Sequence, residues 1–112
     1  MTEPTYTDTR TETVRLENSF GVVAGSESTL EMTANVWLWE SNAKRGSWEW
    51  YGTSNEGRDY YESGGLWFNE EGFLTDFDGS FDLPPVVVRW LHGEGRLTNW
   101  YVDLWTKEGV LE

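Results

Sequence analysis

The segment that most constrains the fold spans residues 74–91, LTDFDGSFDLPPVVVRWL, where a turn leads directly into the start of a helix. Asp76, Asp78 and Gly79 favour a tight turn, because Asp can hydrogen-bond to the backbone downstream of it and Gly accepts positive φ. Asp82 occupies the position expected of a helix N-cap. The LPP that follows fills the first helical turn, where the missing N–H of proline has no helical partner to lose.

Apolar residues then recur with the period of an α-helix over about residues 83–92. Leu83, Val87, Trp90 and Leu91 lie at i, i+4, i+7 and i+8, which places them on one stripe. That stripe needs an apolar surface to cover, and the Trp-rich sequence before it is typical of a sheet. We therefore predict an α+β domain: an antiparallel sheet of about four to six strands, covered on one face by this helix. The predicted core is Leu30, Met32, Val36, Leu38, Leu66, Phe68, Leu83, Val87, Trp90 and Leu91.

Residues 30–40 form the clearest strand, with apolar residues on one face and a second face that ends in Trp37 and Trp39. Trp48 and Trp50 share one face of the next strand. We expect these two rings to pair across a hairpin with Trp37 and Trp39, since aromatic cross-strand pairs stabilise sheets. The alternative is that the four tryptophans form an exposed platform on which a ligand stacks.

Two other segments depart from a simple pattern. Gly64 and Gly65 interrupt a strand, which indicates a bulge or a close approach of another backbone. Between residues 97 and 105, five apolar positions obey helical spacing and three obey strand alternation, and Thr98 is a possible cap. We therefore predict a second, C-terminal helix.

Length and composition are those of one domain covering residues 1–112. Residues 1–12 are mostly Thr, Glu and Asp without a period, and we expect them to be weakly ordered. The absence of cysteine excludes disulfides and thiolate zinc sites, and it fits a reducing compartment. Because no secretory signal and no apolar run of membrane-spanning length is visible, we predict a cytoplasmic protein.

Candidate catalytic and metal-binding residues are few. Asp76, Asp78 and Asp82 suggest calcium, but Gly79 does not fall at the sixth position that an EF-hand loop requires. His92 is the only histidine, and no serine lies in a nucleophile-elbow sequence. We therefore predict no enzyme activity, no metal and no cofactor.

Charge is the strongest functional signal in the sequence. Twenty acidic residues against eight basic ones give a formal net charge of −12, so nucleic acid and anionic membranes should repel the chain and basic surfaces should attract it. Alternate carboxylates on a strand lie roughly 6.6 Å apart, a spacing comparable to that of phosphates along DNA. The alternative is that acidity only keeps the protein soluble. The acids expected at strand ends and loops of the aromatic sheet are Glu40, Glu49, Glu56, Asp59, Glu62, Glu70 and Glu71.

The segment at residues 74–84, LTDFDGSFDLP followed by an apolar helix, resembles a segment of small phage and bacterial proteins. In size, acidity and lack of cysteine the chain also resembles phage-encoded inhibitors of bacterial defence, the anti-CRISPR and antirestriction proteins, several of which mimic DNA. This resemblance implies an inhibitory function in the host cytoplasm. These inhibitors share no common fold or motif, so the resemblance assigns no site residue.

These observations predict a non-enzymatic acidic inhibitor that occupies the nucleic-acid-binding surface of a host nuclease or defence complex. Its partner is then a basic nucleic-acid-binding protein, with no direct contact to nucleic acid or membrane. The acids named above and the four tryptophans of the hairpin are the predicted contacts. The alternatives are a module that binds a protein or carbohydrate through exposed aromatic rings, and a small phage structural or assembly protein.

Overall fold

The chain folds, in a computed structural model, into five antiparallel strands followed by two helices. The structure describes residues 3–16, 26–39, 44–54, 57–78 and 83–111. The strands pair in sequence order as a meander, so the predicted α+β class, the antiparallel sheet and the C-terminal helix are confirmed. The elements are β1 (Tyr6–Leu16), β2 (Ser26–Trp39), β3 (Arg45–Ser54), β4 (Asp59–Phe68), β5 (Leu74–Phe77), α1 (Pro85–Gly93) and α2 (Asn99–Lys107).

Side chains alternate along each strand and divide the sheet into an inner face, which packs against the helices, and an outer face. Leu30, Met32, Ala34 and Val36 of β2 lie on the inner face and are fully buried. The buried cluster continues through β4 and both helices. Eight of the ten predicted core residues are buried, and the other two, Leu38 and Trp90, are partly buried against the same cluster.

Helix α1 begins later than its sequence pattern predicted. Its N-cap is Pro84, which makes no side-chain cap hydrogen bond, and Pro85 opens the first turn. The predicted cap, Asp82, lies outside the described residues, and the N-cap is two positions later in the sequence. Proline is tolerated here because the first helical amides lack intrahelical acceptors. Gly95, at φ 72°, has the left-handed conformation that commonly follows a helix end.

Helix α2 begins as predicted at Thr98, whose side-chain oxygen accepts a hydrogen bond from the backbone N–H of Tyr101 at 3.4 Å. Trp105 is buried, with its ring stacked on Tyr101 at 4.9 Å between centroids and tilted against Phe77 at 5.9 Å. These rings attach α2 to the end of β5.

Edge strand β1, Tyr6–Leu16, includes part of the segment at residues 1–12. Threonine alternates there with charged residues, and β-branched threonine suits a strand. On the inner face Glu12 pairs with Arg89 of α1, and Arg10 pairs with Asp8. Burial alone raises the pKa of the Asp8 carboxyl, but hydrogen bonds from Arg10 and Tyr6 outweigh it, so the pKa is lowered overall.

Candidate functional site

The outer face of the sheet carries three large rings that remain exposed to solvent. Trp39 of β2, Tyr51 of β3 and Tyr61 of β4 are 45%, 46% and 50% exposed. Tyr51 and Tyr61 lie directly opposite each other on paired strands. Exposed rings on adjacent strands of a rigid sheet supply a large contact area at little entropic cost, which is characteristic of binding surfaces.

A groove of about 330 Å³ lies beside two of these rings, Trp39 and Tyr61, and we call it the outer groove. Trp37, Trp39, Trp67 and Tyr61 are among its aromatic lining residues. Small residues of β3 and β4 also line the groove and leave room between the rings, among them Ser47, Ser63, Gly64 and Gly65. The Trp67 ring lies close over Gly65, where an added Cβ would approach the ring to 2.7 Å.

A chain of hydrogen bonds crosses four strands on the outer face and holds one carboxylate of the groove. Thr7 of β1 donates to the amide oxygen of Asn35 on β2 at 2.6 Å. The Asn35 amide nitrogen donates to Glu49 Oε2 on β3 at 2.7 Å, and the Tyr61 hydroxyl of β4 donates to Glu49 Oε1 at 3.3 Å. Asn35 is only 8% exposed, so it holds the Glu49 carboxylate from a well-packed position.

Charge within the outer groove is divided between its two ends. The Arg45 guanidinium lies 5.2 Å from the centre of the Trp39 ring, a cation–π arrangement. Glu49 lies four residues after Arg45 on the same face of β3. None of the ion pairs in the described ranges includes Glu49. The groove therefore joins aromatic walls to a carboxylate that, within the described part of the chain, accepts hydrogen bonds from the neutral side chains of Asn35 and Tyr61.

The predicted pairing of the hairpin tryptophans is wrong. Trp48 lies opposite Val36 and Trp50 opposite Ala34, which places both rings on the inner face, where they are 1% exposed. Trp37 and Trp39 pair instead with Ser47 and Arg45 on the outer face. The register of the hairpin decides this, because a shift of one residue moves a strand's side chains to the opposite face. Buried in this way, Trp48 and Trp50 offer almost no side-chain surface to a partner.

The five predicted acids that the structure describes do not form one surface. Glu49 lies in the outer groove, whereas Glu62 is opposite Trp50 on the inner face and is 8% exposed. Glu62 Oε2 is buried without a hydrogen-bond partner among the described residues. Asp59 accepts a hydrogen bond from Thr53 at one end of the sheet, and Glu70 and Glu71 are exposed in the β4–β5 turn at the other. Two further predicted contacts, Glu40 and Glu56, lie outside the described residues.

Sequence reasoning missed five residues of the outer face: Asn35, Arg45, Tyr51, Tyr61 and Trp67. The available signal was alternation, since Tyr51 and Tyr61 fall on the opposite face from Trp50 and Tyr60 in their own strands. The alternation alone did not show which face the helices cover.

The described ranges contain no group of three or more His, Asp or Glu side chains placed to hold a metal ion. Asp78 Oδ1 accepts from the Gly65 N–H at 2.5 Å and Asp76 Oδ1 from the Phe77 N–H at 2.9 Å, which are turn-stabilising contacts. His92 is exposed in the last turn of α1. Among the helices described, none has the length and apolarity to cross a membrane.

Comparisons with protein-family models, with curated proteins and with solved structures find no match.

Proposed function

We propose that this chain is a non-enzymatic protein inhibitor that docks the outer face of its sheet on a basic, nucleic-acid-binding surface of a partner. The observation that supports this proposal is the combination of exposed rings and a held carboxylate on one face of a chain with net charge −12. Trp39, Tyr51 and Tyr61 are the proposed central anchors, and Glu49 is the proposed acidic contact. Trp48, Trp50 and Glu62 are no longer proposed contacts.

Each part of this surface has a separate physical role. Large rings at the centre of an interface usually supply most of its binding energy, because they desolvate well and lose little freedom. A strongly negative field speeds the approach to a basic groove without reading any base sequence. Asp59, Glu70 and Glu71 at the ends of the sheet add to that field. By occupying the nucleic-acid-binding surface of a host nuclease or defence complex in the cytoplasm, the protein then excludes nucleic acid from it.

A second candidate function, carbohydrate binding, is favoured by one specific observation. The Trp67 ring lies over Gly65 in a groove that Ser47 and Ser63 also line, and a flat ring with hydroxyl-bearing residues in the same groove suits a sugar. Salt separates the two functions, because stacking on a neutral sugar should survive about 0.5 M NaCl while an electrostatic complex should weaken strongly.

The proposal is tested by capture from bacterial lysate at about 50 mM and about 0.5 M NaCl, with captured proteins identified by mass spectrometry. The wild type is compared with Trp39→Ala on the outer face and with Trp100→Ala as a matched control. Trp100 is the more exposed of the two rings, at 66%, and lies on α2. We expect basic nucleic-acid-binding proteins to be enriched at low salt by the wild type and Trp100→Ala, and much less by Trp39→Ala.

Capture should be followed by a nuclease or DNA-binding assay on the purified partner. Inhibition by the wild type and not by Trp39→Ala supports the proposal. Equal behaviour of the two tryptophan variants, or enrichment without basic proteins, contradicts it.

A further inference from the structure

We propose that the outer groove binds an arginine side chain of the partner, with its guanidinium paired to Glu49 and stacked against the aromatic walls. This inference rests on the proposed function and specifies the chemistry of its contact. Three observations support it: the hydrogen bonds that Glu49 accepts, the absence of an ion pair to Glu49 among the described residues, and the aromatic rings that line the groove.

The Glu49 carboxylate is presented to the groove in a fixed orientation. Asn35 donates to one oxygen and Tyr61 to the other, so each oxygen has one acceptor position filled and one still available. A guanidinium donates two parallel N–H bonds and matches two available carboxylate oxygens better than an ammonium does. The pair of neutral donors therefore prepares Glu49 for bidentate binding.

Glu49 differs from the two partly buried carboxylates of β1, Asp8 and Glu12. Asp8 and Glu12 on β1 already pair with arginines of this chain. Glu49 is half-buried but is included in no ion pair among the described residues. A carboxylate with reduced hydration and no cation nearby gains more from an incoming cation than a fully exposed one does.

The walls of the groove favour the same ligand. Tyr61 contacts Glu49 through its hydroxyl. Trp67, which lies opposite Arg45, reaches back over Gly65 toward the middle of the same groove. An arginine stacks on such rings while its edge donates hydrogen bonds. The chain already shows this contact on the same face, where the Arg45 guanidinium lies over Trp39. Arg45 occupies the far end and leaves the Glu49 end open to a second guanidinium.

The test uses three short blocked peptides of one sequence that differ at a single central residue, which is arginine, lysine or citrulline. Citrulline keeps the planar shape and removes the charge. Binding is followed by tryptophan fluorescence and by NMR shifts of the groove residues. The proteins are the wild type, Glu49→Gln and Glu94→Gln. Glu94 is exposed at the end of α1, so its substitution removes the same charge away from the groove.

We expect the wild type to bind the arginine peptide about tenfold more tightly than the lysine peptide, and the citrulline peptide more weakly still. Glu49→Gln should remove the preference for arginine, and Glu94→Gln should retain it. Both variants should melt close to the wild type, which shows that a loss of preference is not a loss of folding.

Equal binding of the arginine and lysine peptides, or equal effects of the two substitutions, overturns the inference. That result leaves the proposed function standing if Trp39→Ala still prevents capture of a basic partner. Failure of the lysate capture together with retained arginine preference contradicts the proposed function and shows a guanidinium site with another purpose.

Discussion

Gly64 lies where the sheet closes onto β5, and its replacement by alanine provides a direct test of the packing. A Cβ built on Gly64 overlaps the carbonyl oxygen of Asp78 and lies 2.9 Å from Trp48 Nε1. The Asp78 backbone cannot retreat freely, because its N–H donates to the Gly65 carbonyl at 3.1 Å. Gly64→Ala must therefore move the end of β5, the buried Trp48 ring or both.

Adding atoms to a well-packed core costs about 1–3 kcal/mol of stability. Because the group in the way is the backbone carbonyl of Asp78, which cannot rotate aside as a side chain can, we expect a cost of about 3 kcal/mol. That is a large part of the roughly 5–15 kcal/mol that stabilises a domain. At about 4 °C per kcal/mol for a chain of this size, the melting temperature should fall by about 12 °C.

Thermal melting followed by circular dichroism measures this shift, and Gly65→Ala is the matched control. Its Cβ meets the Trp67 side chain, which is only partly buried and can rotate away, so we expect a loss of about 1 kcal/mol. Gly64→Ala melting within about 2 °C of the wild type would refute the close approach of Asp78 to β4.

Three further substitutions test other parts of the structure. Trp105→Ala should lower the free energy of unfolding in urea by about 3–5 kcal/mol, because the Trp105 ring is buried. Trp100→Ala should lower it by less than about 0.5 kcal/mol, because the Trp100 ring is exposed. Equal losses would show that α2 does not pack against the sheet. Glu62→Met should raise the free energy of unfolding by about 1 kcal/mol, since it removes a buried oxygen without a partner among the described residues; a loss would mean that the carboxylate is stabilised. Because the pKa of Asp8 is lower in the folded state than in the unfolded state, its ionised form stabilises the fold at pH values above the unfolded-state pKa, and this stabilisation disappears as the pH falls through the folded-state pKa. Wild type should therefore lose more stability than Asp8→Asn between about pH 5 and about pH 2. Parallel curves of stability against pH would contradict the Arg10 contact.

Most of the fold could be predicted because each element carries a local signal. Apolar alternation in β2, the Thr98 cap and the helical spacing around Trp105 depend only on neighbouring residues. The close backbone approach at Gly64 was also visible, since only glycine lacks the side chain that would collide. Strand β1 was predicted only from about residue 13, because the inner face of its earlier part carries charges, which pair with Arg89 and within the strand.

The candidate site was predicted only in part because it depends on strand register. The position of Trp37 and Trp39 on the face opposite the core residues of β2 was anticipated, but Trp48 and Trp50 were placed on the wrong face. The register between β2 and β3 decides which residues lie opposite each other, and no local pattern in either strand specifies that register. Predicting the hydrogen-bond chain through Asn35 and Tyr61 requires the registers of three strand pairs to be known together.

The outer face as the binding surface is the central claim, and site-specific photo-crosslinking tests it most directly. The photoreactive residue p-benzoylphenylalanine replaces Tyr51 on the outer face or, as a control, Trp100 on α2; both side chains are exposed. After irradiation in bacterial lysate at low salt, we predict that the Tyr51 variant crosslinks to a basic nucleic-acid-binding protein and the Trp100 variant does not. Crosslinking of that protein from Trp100 alone, or of no basic protein from Tyr51, would contradict the account.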